Sequence, residues 1–581
     1  LAGANKWLVR FAVALTAQAA VAVWVGLIAA SLGGGLAPFW SGLSLVTGGA
    51  VGVAAAWHSC AREMSAWRWP EWLMLLAALL AGARAFFWLT FSNKGELLVL
   101  SPVNLGDLSL HLHLMQYFAA GVPFWPESPI LTGTPLIYPL GADFYNALLI
   151  DVGVPVFRSL TWCGIAATVA AVAALLRWGG WFGLAAFFFS GAFAYLMAIN
   201  SGRVPSATDA FPWQNLFLTV FVTQRGMLFA LPAGLLLLAS WRDRAERKAP
   251  LLPIWVEVVL YASLPLFSIH AFLAVSIFAA AIFLATRNRR ILLTVAAAFV
   301  PATLAVLLVT DFFGAASGVS RQIGWMMGEQ GWTFWLKNFG LILPLGVGLA
   351  LFVGSRNFCE ERDLEPATAR AFVWAACLLF ATCCFVSFAT WPWDNIKLML
   401  WSWLALAPFL DQLLLQRIMQ PFRVVVYVLI FLPGAVALGT GLDGRHGYGL
   451  ADRIELARIA AATQGIAPTA TFAAAPEYNH PLILNGRKMV AGYDGHLYSH
   501  GLDYRATLRD LTSIMRGEPD WEEAAQRLQP DFLFWGRRED ARYNRFPDNL
   551  PLGSPIASGE WGAIYAFPDF AQTQNETNQD E

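Results

Sequence analysis

The chain has 581 residues, of which 57% are hydrophobic and only 13% charged, with a net charge of -1. Soluble domains carry about a quarter charged residues, so a wholly soluble fold is excluded and lipid must be the solvent for most of the chain. The balanced charge gives no electrostatic footprint for a nucleic-acid partner. The 26 tryptophans and 42 phenylalanines fit the aromatic belts of a membrane interface. No cysteine follows Cys384 and no metal-type cysteine spacing occurs, so the C-terminal part has no disulfide.

Behind Lys6 and Arg10, residues 7–32 are apolar for too long, and lack the cleavage site, to be a removable signal peptide. They read as a first spanning helix. Further stretches of about twenty apolar residues, the length that crosses a bilayer, bring the spans to 8–31, 42–58, 70–92, 146–176, 180–199, 222–241, 251–268, 271–286, 291–312, 335–354, 370–390, 396–416 and 422–442. The prediction is an all-α polytopic membrane bundle of about thirteen transmembrane helices over residues 1–442, with a long outer loop at 94–145. A small extracytoplasmic α/β domain at 443–571 and a disordered acidic tail at 572–581 follow. Splitting 251–286 into two helices, with Pro265 at the turn, places every basic cluster on one side: Arg62 and Arg68, Arg177, Arg242 to Lys248, Arg287 to Arg290, Arg356 and Arg362, and Arg417. By the positive-inside rule that side, with the N-terminus, is cytoplasmic. One long kinked helix instead would invert everything downstream.

The outer loop is rich in proline and aromatics, as in Phe124-Trp125-Pro126 and Tyr138-Pro139, and its stretch 108–118 reads as an amphipathic helix lying along the membrane surface. In the C-terminal part, 469–474, 488–492, 531–536 and 562–567 look like short strands, and 451–463, 503–515 and 521–528 look helical.

Ionisable residues inside spanning segments are costly and mark function. Arg225 lies seventeen residues before Arg242, His270 seventeen before Arg287, Lys337 nineteen before Arg356, and Lys397 twenty before Arg417. At the helical rise per residue all four sit roughly 25–30 Å from the cytoplasmic face, at the outer rim, where Asp107, Asp311 and Asp394 also fall. Asp107 and His111, four apart, share a helix face. Asp107 is either a helix cap after Asn104-Leu105-Gly106 or a general base oriented by His111, and His113 points elsewhere as a structural residue. Gln224-Arg225 is either an interfacial snorkelling arginine or a guanidinium for a lipid phosphate. His270 is a satisfied polar group or a substrate contact. In Trp391-Pro392-Trp393-Asp394-Asn395-Ile396-Lys397, Asp394 caps the next helix with Lys397 as its ion-pair partner, or the group forms an aromatic and charged platform for a phosphosugar. The segment Gly492 to Gly501, with His496 and His500, reads as a loop over the membrane site; its spacing matches no metal template. No nucleotide-phosphate loop, Ser-His-Asp order or dinucleotide motif is present.

On Asp107 in Asn-Leu-Gly-Asp-Leu-Ser-Leu-His, the aromatic loop after it and the many-helix body, the chain resembles the GT-C superfamily of polytopic glycosyltransferases, which use polyprenyl-phosphate-linked sugars. Gln224-Arg225-Gly226, Trp335-Leu336-Lys337-Asn338 and Trp393 to Lys397 are similar to stretches in bacterial membrane proteins of this kind outside the characterised branches. The chain departs from protein O-mannosyltransferases, which have an Asp-Glu pair where Asp107 is followed by Leu108, and lacks the Trp-Trp-Asp-Tyr-Gly motif of oligosaccharyltransferases. The resemblance implies a multi-pass protein of a bacterial cytoplasmic membrane. Its implied reaction is inverting transfer from a polyprenyl-phosphate sugar to a glycan, lipid or protein acceptor on the outer side. Asp107 would be the base, with His111 beside it, and Gln224, Arg225, His270, Lys337, Trp393, Asp394, Asn395, Lys397 and Tyr138 would bind substrate. No organic cofactor is called for and a divalent metal is left open. A flippase for a lipid-linked saccharide and a non-catalytic membrane scaffold are the alternatives.

Overall fold

The computed structural model describes residues 4–61, 69–100, 107–196, 211–312, 318–355, 364–444, 447–547 and 549–568. The expected tail at 572–581, Asn104-Leu105-Gly106, and Arg62, Arg68, Arg356 and Arg362 lie outside them.

Helices α1 (Ala4–Gly33) and α2 (Pro38–His58) form an antiparallel hairpin. Its backbones touch: a Cβ on Gly48 would stand 2.5 Å from the Gln18 carbonyl oxygen, so the small side of α2 replaces the hydrophobic drive that lipid does not provide. Helix α3 (Trp69–Phe87) leads to the hairpin β1 (Phe91–Asn93) and β2 (Glu96–Val99), then to α4 (Asp107–Ala119), α5 (Gly141–Asp151) and α6 (Val156–Phe188). Gly180 breaks α6 with φ 60° and ψ -152°, backbone angles open only to glycine. A π-helical turn, Phe217–Val222, precedes α7 (Met227–Ala245). Next come α8 (Ile254–Phe267), α9 (Ile269–Thr286), α10 (Arg289–Val309), β3 (Val319–Arg321), α11 (Trp332–Phe339) and α12 (Ile342–Phe352). The membrane body ends with α13 (Pro366–Phe385), β4 (Val386–Phe388), α14 (Ile396–Phe409) and α15 (Gln420–Gly441).

Among the described residues nine helices are long and apolar enough to cross a bilayer, or ten if α11 and α12, bent by 91°, make one span. The chain thus reads as a multi-pass membrane protein. The expected count of thirteen differs at four places. The stretch 146–176 joins the end of α5 to the start of α6; the expected boundary at 176–180 falls on the kink at Gly180, and the helix beyond it ends at Phe188, short of 199. The segment 222–241 is interrupted before Met227, α8 is short, and 335–354 is broken between α11 and α12. The stretch 251–286 is two helices folded back on each other. Ser268 ends α8 in an extended conformation and caps α9, its hydroxyl accepting from the Ala271 N–H at 3.2 Å. The Tyr261 hydroxyl then meets Ser276 across the hairpin at 2.8 Å.

One end of the bundle gathers the basic clusters. Arg177 pairs with Asp243, and Arg242 reaches Gln412. Arg244 Nε donates to Glu257 at 2.9 Å, while the Ser240 and Thr294 hydroxyls donate to the same carboxylate at 2.6 and 2.9 Å. The Asn288 amide donates to the Arg244 carbonyl at 3.1 Å. Glu257 is wholly buried, and side chains of α7 and α10 hold it by charge-assisted bonds.

The expected boundary at 443 is crossed by a sheet: β5 (Tyr448–Asp452) pairs antiparallel with β2 of the outer loop. Beyond it a five-stranded mixed sheet has the order β7-β6-β8-β10-β9, formed by β6 (Thr471–Ala473), β7 (Lys488–Met489), β8 (Phe532–Trp535), β9 (Ala557–Gly559) and β10 (Gly562–Ala566). Helices α16 (Arg453–Thr463), α17 (Pro481–Leu484), α18 (Asp494–Ser499), α19 (Arg505–Arg516), α20 (Trp521–Leu528) and α21 (Arg537–Tyr543) accompany it.

Helix α4 is enclosed by protein. Residues 108–115 are all buried, because protein meets its polar side: Gln116 donates to the Leu484 carbonyl of α17, and the His113 ring nitrogen Nε2 stands 2.9 Å from the Arg487 carbonyl.

Replacing Glu257 by alanine leaves Arg244 charged, buried and without its carboxylate. A loss of about 3–5 kcal/mol is expected for a broken buried pair, read as a lowered unfolding temperature in detergent; a melting curve equal to the wild type would contradict this role.

Candidate active site

At the opposite end from the basic clusters lies a cavity of 620 Å³. Its wall is assembled from five places: the first turns of α4, residues 137–139 of the outer loop, the start of α7, the α8–α9 turn, and the segment entering α14. Residues 478–500 of the C-terminal part close it. Gly226 makes one of these junctions possible. A Cβ there would sit 1.8 Å from the Phe267 carbonyl oxygen, so any side chain would push the start of α7 away from the α8–α9 turn and separate Gln224 from His270.

Asp107 begins α4 and accepts a hydrogen bond from Gln224 Nε2 at 2.8 Å. His111 also lines the cavity, but its Nδ1 stands 2.9 Å from both oxygens of Asp143. The expectation that His111 orients Asp107 is therefore corrected: Gln224 holds Asp107, and His111 belongs to Asp143 in the first turn of α5. Tyr138 lies between two imidazoles, stacked on His500 at 5.1 Å and tilted against His111 at 6.2 Å. Burial, then the carboxylates of Asp143, Asp107 and Asp394, hold the Tyr138 phenol well above its usual range, so it keeps its hydroxyl proton. His270, Trp393, Asp394 and Lys397 line the same cavity. Lys397 Nζ is 3.1 Å from Asp394, one turn back, and Trp393 Nε1 donates to the Pro212 carbonyl at 3.0 Å, which fixes the indole.

Three expected substrate contacts stand elsewhere. Arg225 is 1% exposed, lies over the Phe86 ring at 5.8 Å, and has no hydrogen-bond partner on its guanidinium nitrogens among the described residues. It follows Gln224 directly, and the turn that points Gln224 at the cavity points Arg225 into the helices. Asn395 is buried and structural: it accepts from the Phe388 N–H at 2.9 Å and donates to the carbonyls of Cys383 and Val386 at 2.9 and 2.7 Å. Lys337 is half-buried on α11 and does not line the cavity.

A second cavity of 310 Å³ adjoins the first. Asp107, Gln224, Trp391 and Trp393 line both, and Phe211, Gln214, Thr219, Thr223 and Met326 line the second alone. Asp107 thus stands where two compartments meet.

Sequence reasoning passed over Asp143 and Tyr478. Asp143 is 32 residues from His111, beyond the reach of any helical spacing, and only the packing of α5 on α4 joins them. The expectation of a loop over the site is closer: residues 494–499 are a short helix, with Tyr493, His496 and His500 on the cavity. Among the described residues no group of three His, Cys, Asp or Glu side chains is arranged to hold a metal ion.

No family model matches the sequence, and no curated protein matches it. Among solved structures it is similar to the archaeal oligosaccharyltransferase AglB from Archaeoglobus fulgidus, solved with an inhibitory peptide and a dolichol-phosphate. The identity is 13%, over 81% of this chain and 70% of that one, with a TM-score of 0.40. At that identity and score the likeness says nothing about the chemistry of this chain.

Two histidines, the buried His113 and the half-buried His500, join the C-terminal part to the outer loop. Burial first, and then the neighbouring positive groups of His496 and Lys397, lower His500 from 6.5 to about 3. Burial likewise lowers His113 from 6.5 to about 3, against the opposing bond to the Arg487 carbonyl. Both are neutral in the folded protein at pH 7. As pH falls below 6.5 the unfolded chain takes up their protons first, so stability is lost progressively between about 6.5 and about 3. Melting temperatures across this window should fall less steeply for the His113→Gln, His500→Gln double variant. An unchanged slope would contradict the role of these two groups.

Proposed function

We propose that this protein is a membrane glycosyltransferase that moves a sugar from a polyprenyl-phosphate donor to a hydroxyl of a glycan, lipid or protein acceptor on the extracytoplasmic side. The observation that carries the reading is the composition of the cavity wall. It combines two carboxylates, Asp107 and Asp394, with one cation, Lys397, and with the aromatic rings of Tyr138, Trp391, Trp393, Tyr478 and Tyr493. Aromatic faces suit sugar rings, a lysine suits a phosphate as a point charge, and a carboxylate at the junction of two compartments suits the removal of a proton from one substrate beside the other.

In the proposed reaction Asp107 takes the proton of the acceptor hydroxyl, with one of its oxygens held by Gln224 and the other left for the substrate. The acceptor oxygen attacks the anomeric carbon from the face opposite the phosphate, and the electron pair of the broken bond leaves on the phosphate. Charge grows on that phosphate in the transition state, where Lys397 stabilises it. The single displacement inverts the anomeric centre and needs no second, nucleophilic carboxylate. The membrane face that holds the cavity is the extracytoplasmic one because the basic clusters mark the other as cytoplasmic.

Asp107→Asn keeps the shape of the side chain and the contact with Gln224 but removes the base. It should lower consumption of a radiolabelled polyprenyl-phosphate sugar by about 10²–10⁴-fold, whereas Lys397→Ala should weaken the use of donor. Wild-type turnover by Asp107→Asn would sink the assignment of the base. Translocation of a lipid-linked saccharide in proteoliposomes with no covalent product would replace the whole reading by a flippase.

A further inference from the structure

Glycosyl transfer by Asp107 alone leaves three buried groups unused: His111, Asp143 and Arg225. The His111 side chain is 2% exposed and that of Asp143 1%. An ionised carboxylate has no proton to give, so the proton between them sits on His111 Nδ1, which donates to Asp143. That assignment leaves Nε2 as the ring nitrogen open to the cavity that His111 lines. Arg225 is buried too, with no hydrogen-bond partner on its guanidinium among the described residues, and Asp143 is the first of the carboxylates whose charge it feels. A buried cation without hydrogen-bond partners requires a nearby carboxylate, and this one is shared with the imidazole.

We propose that His111 is a second acid–base residue of this site, positioned by Asp143, and that it carries the acceptor's proton from Asp107 to the departing phosphate. The inference rests on the glycosyl-transfer reading. Asp107 and His111 are one turn apart on α4 and face the same space. The acceptor O–H bond breaks and its proton goes to the Asp107 carboxylate. The acceptor oxygen bonds to the anomeric carbon, and the carbon–phosphate oxygen bond breaks with its electron pair on the phosphate. The proton then moves from Asp107 to His111 Nε2, forming an imidazolium whose Nδ1–H stays on Asp143. His111 gives it up to a phosphate oxygen, so Asp107 and His111 end the cycle as they began. Asp143 is a positioning residue, because it fixes which nitrogen is free and faces the charge of the imidazolium.

The test uses the full-length protein in detergent and reads polyprenyl phosphate released from a radiolabelled polyprenyl-phosphate sugar. His111→Gln should lower turnover by about 10²–10⁴-fold, and added imidazole should restore part of the activity of His111→Ala. Asp143→Asn should displace the acid limb of the pH–rate profile. If it does not fold, Asp143→Asn combined with Arg225→Met removes the cation together with its carboxylate. Turnover by His111→Gln equal to the wild type, with Asp107→Asn inactive, would overturn the proton route and leave the transfer reading standing. If the wild type releases no polyprenyl phosphate, the transfer reading falls and the route falls with it. The dyad geometry has its own readout in the nitrogen chemical shifts of His111: they should show a protonated Nδ1 and an unprotonated Nε2, and the opposite tautomer would overturn the open Nε2.

Discussion

A helix that carries polar groups on several sides can be buried only if every one of them finds a partner, and α4 is such a helix. Asp107 and His111 share one side of it while His113 and Gln116 leave it elsewhere, and each of the four is met by a different residue: Gln224, Asp143, the Arg487 carbonyl and the Leu484 carbonyl. These four contacts tie the start of α7, helix α5 and the C-terminal sheet region to one short element. The cavity is what remains between them. Part of its wall, at the start of α7 and in the C-terminal part, comes from the segments that α4 draws together.

The two ends of the bundle use polar groups differently. At the basic end Glu257 is surrounded by Arg244, Ser240 and Thr294 and has nothing left to offer a ligand. At the cavity end Asp107 and His111 are each fixed on one side by a partner and open on the other. Tyr138 and His500 stack to make part of the wall between loop and C-terminal part. A group held on one side and open on the other is suited to bind or to exchange a proton, whereas a group held on every side only maintains the fold.

Much of the arrangement was legible in the sequence, for reasons that show in particular residues. Counting back from the basic clusters placed His270 and Lys397 at one level because helical rise converts residue number into depth, and both line the cavity. The same count could not say which way a side chain points, and so it grouped Arg225 with Gln224 and Asn395 with Asp394, although one member of each pair turns inward. Amphipathic spacing found α4 within one residue at each end, but spacing does not distinguish water from protein as the partner of a polar face. The helix count exceeded the continuous spans because hydropathy registers neither the end of α6 at Phe188, short of the expected 199, nor the bend between α11 and α12. Asp143 stayed hidden because its meaning depends on a contact that only tertiary packing makes.

The central claim is that the cavity beneath residues 478–500 receives a lipid phosphate beside Asp107. The most direct measurement is an electron cryomicroscopy map of the protein in nanodiscs containing polyprenyl phosphate. The account predicts density for a phosphate against Lys397, with its chain leaving the cavity towards lipid. An empty cavity in a map that resolves the side chains of Tyr138 and Trp393, or a phosphate bound only at the basic end, would contradict it.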